Sequence, residues 1–143
     1  MTRIVWAPIP DRVELEAGGA RVALERDDDG WWHGPAPEGT YRLVVDGDAL
    51  PDPRSPWQPE GVDGPSMPVD HGAFPWSDQR WHGRPLESCV LYELHVGTFT
   101  PEGTFDAAIG QLDRLRQLGV NAVSIMPVAQ FPGGRNWGYD GVY

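Results

Sequence analysis

Apolar and polar positions alternate along the first third of the chain. In RVELE (residues 12–16) Val13 and Leu15 fall on one side, and in RVALE (21–25) Val22 and Leu24 do the same. Between the two runs stands Gly18-Gly19, a two-residue hairpin signal, because both positions accept a positive φ. RDDDG (26–30) marks another turn and leads into Trp31-Trp32. On a strand, one ring of that pair faces in and the other out. In GTYRLVVDGD (39–48) Tyr41, Leu43 and Val45 alternate with Arg42 and Val44 before a turn at Asp46-Gly47. Short strands at intervals of about ten residues predict a small, immunoglobulin-like β-sandwich.

The alternation then stops. Residues 48–87 are rich in proline and hold Trp57, Trp76 and Trp81. A free linker has no use for such aromatics, so an ordered connector is expected. A different pattern begins after Cys89. VLYELHV (90–96) reads as a strand with Val90, Tyr92, Leu94 and Val96 on one face and Leu91, Glu93 and His95 on the other. GTFTPEGT (97–104) reads as a loop. Thr104 is the expected N-cap of a helix carrying Phe105, Ala108, Ile109, Leu112, Leu115 and Leu118 at helical spacing, with Gly119 at its C′ position. VNAVSIMPV (120–128) is a nearly continuous apolar run, as in a parallel strand covered on both sides. Strand, helix and strand in this order make one right-handed βαβ unit.

GRNWGYDGVY (134–143) follows, with three aromatics, three glycines and one acid in ten residues. Such a stretch suits neither a helix nor a core strand. In parallel α/β folds ligands lie beyond the carboxyl ends of the strands, which is where this loop leaves its strand. A sugar ring has an apolar face that lies on an aromatic ring, hydroxyls that bond a carboxylate, and a bulk that glycines allow the backbone to approach. Trp137, Tyr139 and Asp140 are therefore the candidate sugar contacts. Ordinary loop packing accounts equally for the two aromatics, and a hydrogen-bonded packing role accounts for His95.

Composition narrows the partners. The net charge is −10, and all eleven basic residues are arginine. With no basic run, neither nucleic acid nor an anionic membrane surface is an expected partner. One cysteine excludes an internal disulfide, which points to a reducing, cytoplasmic setting. The first residues lack a signal-peptide pattern, and no apolar run approaches the ~18 residues of a membrane span. No metal-binding motif or cofactor motif is present, so no metal and no cofactor are expected.

VLYELHVGTFTPEGTFDAAI, LGVNAVSIMPVAQFPG and NWGYDGVY together resemble the start of the catalytic barrel in the α-amylase superfamily. The connector DALPDPRSPWQPEGVDGPSMPVD is similar to that of the malto-oligosyltrehalose trehalohydrolases within it. The resemblance implies an N-terminal, carbohydrate-binding-module-like sandwich over residues 1–85, with the connector at about 48–87. Residues 88–143 are then the first βαβ unit of an incomplete (β/α)8 TIM barrel. It implies that Tyr139 stacks on the sugar at the cleavage point and that Asp140 contacts substrate without being a catalytic acid. The nucleophilic Asp, the acid/base Glu and a supporting Asp of the family belong to later strands, so no catalytic residue is expected in this chain and the piece alone is expected to be inactive. For the intact enzyme it implies hydrolysis of the α-1,4 bond next to the terminal trehalose of maltooligosyl-trehalose, with retention. It also implies functional pairing with an enzyme that forms the trehalosyl end. A glycogen branching or debranching enzyme, or a non-catalytic α-glucan-binding module using the outward tryptophan, are the alternatives.

Overall fold

A computed structural model describes residues 1–136 and 139–142. Its chain forms two compact units, one built on Met1–His71 and one that begins at Gly72.

The first unit contains two antiparallel sheets. One has the order β1 (Thr2–Trp6), β5 (Trp31–Gly34), β4 (Glu25–Arg26); the other has the order β3 (Ala20–Ala23), β2 (Val13–Ala17), β6 (Tyr41–Val45), β7 (Asp48–Leu50). Side chains from both sheets meet in one core of Ile4, Val5, Val13, Leu15, Leu24, Trp32, Tyr41 and Leu43. The sandwich expected from alternation is thus present. The hairpin forms at Gly18-Gly19, whose φ values of 57° and 79° are those of a type I′ turn.

Three details differ from the sequence reading. β1, TRIVW, carries no turn signal ahead of it and was not separable by pattern, yet it pairs with β5 through a bulge between Arg3 and Val5. Val22 lies 45% exposed, because β3 is an edge strand. Val44, expected on the polar face of its strand, is fully buried. On that same face Arg42 donates to the Asp63 carbonyl, so the connector runs over a side of the sheet that alternation assigns to water.

The connector is ordered over residues 51–68 by a polar knot and not by an apolar core. Tyr41 and Ser66 exchange backbone hydrogen bonds at 2.8 Å. The Tyr41 hydroxyl donates to Asp52 Oδ2 at 2.7 Å, and the Asp52 amide donates to Ser66 Oγ at 2.8 Å. Ser55 Oγ reaches the carbonyls of Trp57 and Met67, and Gln58 Nε2 donates to the Ser55 carbonyl. Asp52, Ser55, Gln58 and Ser66 are all buried, which is tolerable only because nearly every polar atom is paired. Proline suits this segment because many of its amide groups have no ladder to join.

In the second unit β8 (Leu91–Leu94) and β9 (Ala122–Ile125) pair in parallel. Between them lie three short helices: α1 (Val96–Phe99), α2 (Phe105–Ile109) and α3 (Leu112–Gln117). The strand read from pattern as 90–96 ends at Leu94, and the loop read as 97–104 begins with one helical turn. The single expected helix is broken at Gly110, the residue with the greatest conformational freedom in its middle. Thr104 does cap α2, its hydroxyl accepting from the Ala107 amide at 3.2 Å. β9 was expected to be covered on both sides; Val123 and Ile125 are instead exposed.

Candidate functional site

The site is built where β8 and β9 reach their carboxyl ends. Asn121 first fixes the opposite end of the pair: its Oδ1 accepts from the Val90 amide at 2.8 Å, and its Nδ2 donates to the Ser88 carbonyl at 3.0 Å. The ladder then runs in register to Leu94 and Ile125, and the Met126 amide donates to the Leu94 carbonyl. Tyr92 turns toward the helices, where it meets the Phe99 ring at 6.0 Å between centroids. With Gln111, Arg114, Leu115 and Leu118 these two rings line a cavity of about 130 Å³. Alternation therefore directs Glu93 and His95 to the other side, as the sequence suggested; Glu93 is exposed and His95 half-buried.

His95 sits at the junction of β8 and α1, and its ring nitrogen Nε2 lies 2.9 Å from Asn136 Oδ1. Asn136 is 6% exposed. Its Nδ2 donates to the Pro127 carbonyl at 3.2 Å, and its backbone carbonyl accepts from the amides of Tyr139 and Asp140, each at 3.0 Å. One asparagine thus ties the exit of β8, the exit of β9 and the turn bearing two of the three candidate sugar contacts. Tyr139 is 75% exposed and Asp140 is exposed, so the ring and the carboxylate are free to meet a ligand. Trp137 lies outside the described residues.

The His95 ring rests on glycine. A Cβ on Gly97 would lie 3.0 Å from His95 Cε1, and a Cβ on Gly103, whose φ is +64°, would lie 3.0 Å from the Gly97 carbonyl oxygen. The spacing in HVGTFTPEG therefore has a steric side: a side chain at 97 would press on the His95 ring, and one at 103 would press on the Gly97 backbone from a left-handed conformation that favours glycine. Asn136 and Asn121 were not found by sequence reasoning. Asparagine in a Gly-rich loop reads as turn chemistry, and nothing local reveals that its partner stands 41 residues away.

The sandwich treats its adjacent tryptophans differently. Trp32 is core, 4% exposed, with Nε1 donating to the Ala7 carbonyl at 2.8 Å. Trp31 is the outward ring, and the guanidinium groups of Arg3 and Arg54 lie 5.3 and 5.1 Å from its centre. Among the described residues no group of three or more His, Cys, Asp or Glu could hold a metal, and no helix is long and apolar enough to cross a membrane.

No protein-family model matches the chain. A malto-oligosyltrehalose trehalohydrolase from Rhizobium sp. (strain M-11) is 49% identical over 150 residues, covering 96% of this chain and 25% of the relative. That of Mycobacterium tuberculosis is 50% identical over 148 residues with the same coverages. A 1,4-alpha-glucan branching enzyme of Photobacterium profundum is 30% identical over 142 residues, with 85% of this chain covered. The chain thus spans about a quarter of the length of the trehalohydrolases it matches. Among solved structures, one named for an alpha amylase from Salmonella typhimurium superimposes with a TM-score of 0.87 at 45% identity, covering 96% of this chain and 24% of that one. A pullulanase from Anoxybacillus sp. LM18-11, solved with maltotriose, shares the fold with a TM-score of 0.70 at 21% identity, over 97% of this chain and 26% of its own.

Proposed function

We propose that this chain, which belongs with the malto-oligosyltrehalose trehalohydrolases, supplies part of the glucan-binding face of a glycoside hydrolase that releases trehalose. Residues 1–85 form its sandwich domain with the connector, and residues 88–143 form the first βαβ unit of its (β/α)8 barrel. The observation that carries the reading is the Tyr139–Asp140 turn, pinned at the carboxyl ends of two adjacent parallel strands, where such folds bind ligands.

The exposed phenol ring of Tyr139 offers an apolar platform to a glucose ring, and Asp140 accepts hydrogen bonds from its hydroxyls. Trp137 is assigned to the same contact surface on sequence. The substrate is a maltooligosyl-trehalose, cleaved at the α-1,4 bond next to its terminal trehalose. A nucleophilic carboxylate displaces the leaving oxygen, which takes a proton from an acid; the same acid then deprotonates the water that hydrolyses the glycosyl-enzyme. Those carboxylates come from sequence outside these 143 residues. The enzyme works in the cytoplasm, and its substrate is made by an enzyme that forms the trehalosyl end. Identities near 50% to trehalohydrolases, against 30% to the branching enzyme, favour hydrolysis over branch transfer.

The test uses the whole protein that contains this chain, incubated with maltooligosyl-trehalose. Release of trehalose is expected. Tyr139→Ala is expected to lower kcat/KM by about 10- to 100-fold, the range of one lost sugar-stacking and positioning contact. Formation of α-1,6 branches on linear glucan, with no trehalose, would overturn the reading.

A further inference from the structure

We propose that His95 is a positioning residue: through Asn136 it fixes the turn that presents Tyr139 and Asp140. The inference rests on the reading that this turn contacts sugar, but its geometry stands apart from that reading.

The argument begins with what each atom can do. The Pro127 carbonyl only accepts, so the Asn136 atom facing it is the amide nitrogen. Asn136 Oδ1 therefore faces His95, and an amide oxygen only accepts. The hydrogen on the imidazole must then sit on Nε2, which donates at 2.9 Å. This choice leaves Nδ1 bare. Nδ1 is buried and has no hydrogen-bond partner. A buried acceptor left unpaired is the more tolerable of the two orphans, since unpaired buried N–H groups are rarer than under-satisfied acceptors. The neighbouring space is closed by Gly97, where an added Cβ would lie 3.4 Å from Nδ1 and 3.0 Å from Cε1. The ring is thus held edge-on with one nitrogen committed to Asn136.

Asn136 has no freedom to move once both ends of its amide are engaged. Its carbonyl then accepts from two successive amides, those of Tyr139 and Asp140. Because the side-chain amide is held on two strand exits, the Asn136 Cα is anchored there, and releasing the His95 end frees that Cα, and the carbonyl attached to it, to shift with both amides. His95 so acts on the sugar contacts without touching them. A half-buried core histidine of merely structural role would support β8 and leave the turn unaffected.

Two measurements on the 143-residue chain and one on the whole enzyme test this. Nitrogen chemical shifts of the His95 ring at neutral pH are expected to show hydrogen on Nε2; a ring protonated on Nδ1 overturns the proposal without any substitution. In His95→Phe, which keeps ring volume but lacks the donor, the Tyr139 and Asp140 amides are expected to exchange about tenfold faster. The Leu94 and Ile125 amides should be unchanged, and His95→Gln, which keeps an N–H donor, should recover part of the protection. Unchanged exchange at Tyr139 in His95→Phe, or an equal rise at Leu94 in both variants, overturns it. In the whole enzyme a mutant cycle completes the test: His95→Phe should lower kcat/KM about tenfold alone and by less than about twofold on a background carrying both Tyr139→Ala and Asp140→Ala. Equal losses on both backgrounds overturn action through the turn. Absence of trehalose release by the unsubstituted enzyme would sink the functional reading and leave the exchange result standing.

Discussion

The Tyr41 hydroxyl donates to a buried carboxylate, and both loss and ionisation of that hydroxyl are costly. Burial first, then the hydrogen bond to Asp52, pushes the Tyr41 phenol well above its ordinary range. The sign follows from linkage. In the unfolded chain a tyrosine loses its proton near pH ~10. The folded chain keeps that proton to higher pH, so the unfolded state binds fewer protons above ~10 and stability falls as pH rises. Urea unfolding of the sandwich should therefore weaken between about pH 9.5 and 11. Tyr41→Phe should flatten that alkaline limb and cost about 1–3 kcal/mol at neutral pH, because Asp52 Oδ2 loses its partner inside the knot. An unchanged alkaline limb in Tyr41→Phe would show that other groups set it. Asp27 gives the mirror case on the surface. The hydrogen bond from His33, then the Trp31 amide, hold its carboxyl below the usual value. Its contribution is present above the ordinary carboxylate range and is lost as pH falls through the folded value. Asp27→Asn should therefore reduce the acid sensitivity of the 26–31 turn, read from the exchange of the Trp31 amide.

At the end of α3 the chain stops by a Schellman arrangement. The Val120 amide donates to the Leu115 carbonyl, and the Gly119 amide donates to the Arg116 carbonyl, with Gly119 at φ +91°. Nothing lies within 4 Å of an added Cβ there, so the cost of Gly119→Ala is backbone strain alone, about 1–2 kcal/mol. Thermal unfolding followed at β9 should shift accordingly, while the 13–17 strand of the sandwich should not move. This cap was legible in the sequence, as were the Thr104 cap and the Gly18-Gly19 hairpin, because each depends on residues adjacent in the chain. The split of the helix at Gly110 was not. Apolar spacing runs unbroken from Phe105 to Leu118 and overrides the weak local signal of one glycine. Val44 and the connector knot were hidden for a related reason. Alternation describes one covered face, and it cannot register that a proline-rich segment returns to cover the other. That the Tyr139–Asp140 turn follows β9 was legible from chain order, whereas the asparagine that holds it depends on two contacts made only after β8 and β9 pair.

The two units bury their apolar residues to very different degrees. In the sandwich, Val13, Leu15, Leu43 and Val44 are at most 4% exposed. In the second unit, Leu91 is 60% exposed, Ile125 50%, Ile109 62% and Leu118 71%, and among the described residues β8 and β9 form a two-stranded sheet. A two-stranded sheet is marginal alone, and exposed apolar side chains beside strand edges favour association. The net charge of −10 opposes that association by mutual repulsion over a range of about 8–10 Å at moderate salt. Repulsion is screened by added salt and apolar contact is not. The 143-residue chain should consequently sediment as a monomer at low salt and shift to larger species as sodium chloride approaches molar concentration. Amides of β8 and β9 should exchange faster than those of β2 and β6 throughout. Ile125→Thr, at a half-exposed position, should change stability by less than about 0.5–1 kcal/mol yet reduce the salt-driven shift. A monomer at every salt concentration, with equally slow exchange in both sheets, would mean that the exposed apolar set is tolerated as ordinary surface and does not drive contact.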